Sequence, residues 1–136
     1  ARAVVADGEG ATRTIEIEVR RAQSRADAEI AARSVANSPL VKCAVHGADP
    51  NWGRIVAALG KSAARIDPEK LSVKIGPVTV FSGGCGCRFD IAKVRRHLRG
   101  KVVRIVCDLH LGKGHYTAWT CDLSREYVTI NADYHT

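Results

Sequence analysis

Methionine is absent from this 136-residue chain, and aromatic residues make up only 5% of it: two Trp, three Tyr and two Phe. So few rings leave little material for the stacking platforms on which single-stranded nucleic acid is held. No apolar run approaches the ~20 residues that span a bilayer, which excludes a membrane-spanning helix. The opening ARAVVADGEG lacks the apolar stretch of a secretory signal, and it lacks an initiator Met. The expectation is a processed or excised piece of something longer. Cysteines are few, odd in number and without framework spacing: Cys43, Cys85, Cys87, Cys107 and Cys121. That pattern fits reduced thiols in the cytoplasm rather than a disulfide scaffold.

What is present is a globular composition, 46% hydrophobic and 26% charged, enough for one core. The net charge is +7, and much of the excess lies in KVRRHLRGKVVR, Lys93 to Arg104. Ile91, Val94 and Leu98 fall on one helix face with the basic residues mostly on the others, which reads as a solvated face. A phosphate-tracking surface is the competing reading, and attraction for acidic metabolites is a third.

Thr14 to Arg20 alternates, with Ile15, Ile17 and Val19 on one side, as a half-buried strand does. Ser24 and Asp27 resemble a capping box that opens a helix with the stripe Ala28, Ala31, Ala32, Val35, closed by Asn37 and Pro39. Leu40 to Val45 reads as a second strand, ending in a His46-Gly47 turn. Asp49 and Pro50 supply a cap and a first helical residue for IVAALG, which ends at Gly60. Leu71 to Ile75 and Val78 to Phe81 form a hairpin about Gly76-Pro77, and GGCGC is a loop. Asp90 caps a third helix that ends at Gly100. Strands Val102 to Leu109, Tyr116 to Leu123 and Tyr127 to Ala132 complete a single α+β domain over 1–136, helices packed on a mixed, largely antiparallel sheet.

Several stretches go beyond scaffold grammar. Asn51, Trp52, Gly53 and Arg54 crowd the first turn of the DPNWGR helix, where Gly costs about 1 kcal/mol relative to Ala. Such a glycine fits close backbone approach or an anion held by free N–H groups. Asp7-Gly8-Glu9-Gly10-Ala11-Thr12 reads on spacing alone as a surface turn, with Glu9 as acceptor for an ammonium group in the functional reading. Cys43 and His46 suggest a nucleophilic pair, but nothing in the sequence orients the imidazole. His97 reads as solvated, and His110 and His115 flank a turn without a third metal ligand. Cys85-Gly86-Cys87 is one CxC with no second pair, so all five cysteines are read as structural and no metal site is expected. The end, YVTINADYHT, is β-patterned to the last residues, as a docked terminus would be, with Asn131 on the face opposite Val128 and Ile130.

DGEGAT (7–12), SPLVKCAVHGADPNWGRIVAALG (38–60) and TAWTCDLSREYVTINADYHT (117–136) together resemble the glutamate N-acetyltransferase/ornithine acetyltransferase family of arginine biosynthesis. The similarity is to the C-terminal part of its β chain and is weakest over 66–113. It implies an N-terminal-nucleophile system made by autocatalytic cleavage before a Thr. That Thr takes acetyl from N-acetylornithine and passes it to glutamate; some members also accept acetyl-CoA. Glu9, Asn131 and Thr136 match substrate-binding positions, which reverses the turn-only reading of DGEG. Glu9 would pair with a cationic group of the substrate, while Asn131 and Thr136 would donate or accept hydrogen bonds that orient it.

The family's Thr-Met-Leu-type start has no match here, so the resemblance implies no catalytic residue in this chain and no activity of these 136 residues alone. It further implies a cytoplasmic α2β2 assembly, with the α chain and the rest of the β chain as partners and no cofactor, nucleic acid or membrane. The CGC loop and HLGKGHY have no placed counterpart, and DPNWGR is structural with Arg54 unassigned. Two other classes stay in view: a small basic nucleic-acid-binding domain using 93–104, and a related amidohydrolase or aminopeptidase that transfers to water.

Overall fold

The structure, a computed structural model, describes residues 13–122. Strand β1, Thr14–Ala22, is flanked by a strand on each side, and its alternation gives it two distinct faces. Ile15, Ile17 and Val19 are fully buried, each worth about 1.5–3 kcal/mol of burial. Glu16 and Glu18 point to the other side. After helices α1 (Arg25–Ala36), α2 (Pro39–His46) and α3 (Trp52–Gly60) come strands β2 (Ser72–Ile75), β3 (Val78–Ser82) and β4 (Cys85–Gly86). Helix α4 (Ile91–Leu98) and strands β5 (Val102–Asp108) and β6 (Gly114–Cys121) follow.

The six strands lie in the order β4-β3-β2-β5-β1-β6. Only β1 and β5 pair in parallel, with Ile17 beside Ile105; the other four pairings are antiparallel. The α+β expectation therefore holds, sheet type included.

Helix α1 opens as its sequence says: the Ser24 hydroxyl accepts from the Asp27 N–H at 3.1 Å. Its buried stripe is mostly alanine, which lets the helix sit close to β1 and β6. Val41 and Ala44 of α2, Ile55 of α3 and Leu98 of α4 meet Ile75 and Ile105 around one small void, so a single apolar cluster joins helices to one sheet face.

Four local expectations are corrected. Residues 39–46 are helical, not a strand: the Ser38 hydroxyl accepts from the Val41 N–H at 3.3 Å and Pro39 occupies the first turn. Val41, Ala44, Val45 and Ala48 are buried at helical spacing. The cap of α3 is Asn51 rather than Asp49, while the helix ends at Gly60 as expected. The GGCGC loop contains a short strand, because Gly83 and Gly84 take φ of 60° and 85°, as a tight hairpin turn requires. Helix α4 is capped by Asp90 as expected but stops at Leu98, and Ile91 is half exposed rather than buried with Val94. The expected strand at 127–132 lies outside the described residues.

Candidate functional site

The two ends of the described chain meet. Thr14 stands opposite Cys121 in the β1–β6 ladder, and one residue further out Arg13 and Asp122 continue the pairing. The Arg13 N–H donates to Asp122 Oδ1 at 2.8 Å, and the Asp122 N–H donates to the Arg13 carbonyl at 3.2 Å. Asp122 is wholly buried. A buried carboxylate needs charge and donors around it. The Arg13 guanidinium lies 3.4 Å from Oδ2, and His46 Nδ1 lies 2.8 Å from the same oxygen. Since an ionised carboxylate only accepts, Nδ1 carries the proton.

Helix α2 delivers that imidazole. His46 is its last residue, and the Arg13 guanidinium also donates to the His46 carbonyl at 3.1 Å, where a helix C-terminus favours positive charge. The chain then turns through Ala48, which carries the left-handed φ of 52° while Gly47 does not. His46 thus serves Asp122, while Cys43 lies exposed.

DPNWGR forms the corner between α2 and α3. The Arg54 guanidinium donates to the Leu40 carbonyl at 2.9 Å, tying the two helices together. Trp52 packs on Phe81 with ring centroids 5.2 Å apart, and its indole covers Gly86, where a Cβ would come within 2.4 Å. The glycine of the CGC stretch therefore makes room for the tryptophan of the motif. At Gly53 the nearest neighbour of a Cβ is Asn51 Oδ1 at 3.2 Å, so among the described residues no second backbone approaches there.

The sheet face opposite the helices is charged. Arg104 reaches Glu16 and also Glu18, the latter at 3.0 Å, while Arg20 and His115 hold Glu18 at 2.7 and 2.9 Å. The hydrogen bond from Arg20, aided by His115, keeps the Glu18 carboxyl at about 2 against the opposing effect of burial. Arg21 pairs with Asp108 at 2.6 Å.

His97 is not solvated as expected. Its Nε2 accepts from the Arg104 N–H at 3.0 Å and its ring covers Gly76; burial shifts its pKa below the ordinary 6.5. Burial also pushes the Cys107 thiol up to about 12. Arg95 and Arg96 of α4 and Arg99 just beyond it line an open surface with Ile91 and Ala92, but Arg104, counted with the basic run, is spent on carboxylates. No grouping of three His, Cys, Asp or Glu able to hold a metal exists among the described residues, and none of their helices is long and apolar enough to cross a membrane.

Of the expected substrate-binding residues, Glu9, Asn131 and Thr136 lie outside the described residues. Sequence reasoning missed Arg13 and Asp122. Asp122 interrupts a strand-like run at a position where an isolated charge reads as solvent-facing.

Residues 1–136 match the profile of the ArgJ family along their full length. The arginine biosynthesis bifunctional proteins of Parasynechococcus marenigrum and Deinococcus radiodurans are each 48% identical over 136 residues. All of this chain is covered, and it spans 33% and 35% of those relatives, about a third of their length. The crystal structure of the arginine biosynthesis bifunctional protein from Bacillus halodurans superposes with a TM-score of 0.94 at 39% identity, covering 98% of this chain and 63% of that one. The chain belongs to the ArgJ family.

Proposed function

We propose that this chain is the substrate-binding C-terminal portion of an ornithine acetyltransferase. In the proposed reaction a Thr hydroxyl, on a segment outside these 136 residues, attacks the acetyl carbonyl of N-acetylornithine. Its own α-amine serves as general base, and ornithine leaves as an amine. The glutamate amine then attacks the resulting ester and regenerates the Thr hydroxyl. Glu9 pairs with the substrate's ammonium group, and Asn131 and Thr136 orient it. The complete protein is an α2β2 assembly, and these residues by themselves turn over nothing.

One observation carries this reading: Arg13 and Asp122 pair at a single point of the domain edge. Glu9 lies four positions before Arg13, a reach of about 14 Å, and Asn131 nine positions after Asp122, about 30 Å. Segments tethered side by side are suited to line one amino-acid pocket. Relatives named for arginine biosynthesis support an amino-acid substrate for such a pocket.

The test uses the complete protein that carries this chain. Glu9→Gln should raise KM for N-acetylornithine by about tenfold or more, as loss of a charge-assisted hydrogen bond does. Acetyl should appear on glutamate rather than as free acetate. Unchanged KM in Glu9→Gln, or transfer to water alone, refutes the reading.

A further inference from the structure

Charge on the open sheet face is matched: Arg20, Arg21 and Arg104 each meet a carboxylate. The outer face of α4 is different. The guanidiniums of Arg95, Arg96 and Arg99 have no ion pair or hydrogen bond among the described residues. The helix's own carboxylate, Asp90, is engaged at the far end, where it accepts the Lys93 N–H at 3.2 Å. A cation in the last turn suits the partial negative charge of a helix C-terminus, yet α1 meets that need with Arg33 alone and α3 with none. Arg95 and Arg99 are four positions apart and Arg96 and Arg99 three, so like charges are neighbours and repel. An anion held among them removes that cost.

The face has shape as well as charge. With half-exposed Ile91 and exposed Ala92 one turn earlier, the three arginines line an open hollow of about 620 Å³. That volume falls within the range of small-molecule sites, about 300–1,000 Å³. Val94 and Leu98 are buried and anchor the helix, leaving the arginines exposed. A guanidinium fork matches phosphate oxygens two at a time. From Arg95 to Arg99 the helix rises only about 6 Å, so the three charges suit a compact group of linked phosphates. A nucleic-acid backbone would need the basic run to continue. Instead, His97 is turned onto Gly76 and Arg104 is committed to Glu16 and Glu18.

We propose that the outer face of α4 binds a compact oligophosphate, with Arg95, Arg96 and Arg99 gripping two or three linked phosphates beside an apolar floor of Ile91 and Ala92. Nucleoside polyphosphates and inorganic oligophosphates share this chemistry. The inference goes beyond the acetyl-transfer reading and does not rest on it.

The complete protein that carries this chain is titrated calorimetrically, without magnesium, with ATP and separately with tripolyphosphate. The variant Arg95→Gln/Arg96→Gln/Arg99→Gln should bind about tenfold more weakly than wild type. Lys61→Gln/Arg65→Gln/Lys70→Gln removes three charges from exposed positions elsewhere and should stay within about twofold of wild type. Raising NaCl from about 50 to about 200 mM should weaken wild-type binding about tenfold. Equal weakening in the two triple variants, or no wild-type binding at millimolar ligand, overturns the proposal. A DNA duplex bound where neither oligophosphate binds would make the face a nucleic-acid surface and overturns it equally. ATP binding more tightly than tripolyphosphate identifies the nucleotide as the source, and equal or weaker ATP binding identifies the inorganic chain. Should the arginine triple variant not fold, Arg96→Gln alone replaces it, with an expected loss of about threefold; unchanged affinity there is fatal.

Discussion

Gly76→Ala should be among the most damaging single-methyl additions to this domain. Gly76 begins the two-residue turn between β2 and β3 with φ of 59°, a region that costs an L-residue about 1 kcal/mol. A Cβ there would lie 2.6–2.8 Å from three atoms of the His97 ring, so the imidazole must move. That ring accepts the Arg104 N–H at 3.0 Å, and displacing it removes a hydrogen bond and strands a donor, about 1–3 kcal/mol more. The expected loss is about 3 kcal/mol, read as a lower urea midpoint at unchanged slope. In a His97→Ala background the same change should cost only about 1 kcal/mol, because the ring is gone and the donor already unpaired. Equal costs in the two backgrounds refute the reasoning. His97 also sets a pH dependence. Its folded pKa lies below 6.5, so the native state resists protonation; as pH falls beneath 6.5 the unfolded chain takes up the proton first and stability declines. His97→Ala should remove that slope.

The charged sheet face gives an acid-side counterpart. Glu18 is held at about 2 against an ordinary 4.5, so its stabilisation is complete above pH 4.5 and is lost between there and about pH 2; Glu18→Gln should flatten acid unfolding in that window. Thiol labelling of the native chain with a maleimide should modify exposed Cys43 and Cys85 while sparing Cys107, whose pKa near 12 and burial deny it a thiolate until the chain unfolds. Labelling of Cys107 at the rate of Cys85 would contradict its placement.

Local grammar made part of this fold legible. The Ile15-Ile17-Val19 alternation, the Ser24 and Asp90 caps and the hairpin about Gly76 follow from period and turn chemistry alone. Residues 39–46 misled because a short apolar run suits either a strand or a helix; the Ser38-Pro39 start was the deciding signal. The β1–β5 pairing was illegible, since parallel neighbours so far apart in sequence leave no local trace. The same holds for the candidate site. His46 gained meaning only once its helix ended beside Asp122, a meeting of residues 76 positions apart. The family motifs pointed to Glu9, Asn131 and Thr136, whereas the described geometry adds the junction from which their segments depart.

The place of β1 has a consequence for how the chain is made. Translated before every other described strand, it must wait for both of its eventual neighbours, since β5 and β6 are the last described strands to be made. Throughout that interval both edges of β1 lack the strands that later pair with them and stay open to chance pairing with other nascent chains. Glu16, Glu18 and Arg20 alternate with those apolar residues and act as gatekeepers during synthesis, long before Arg104 arrives to neutralise the first two.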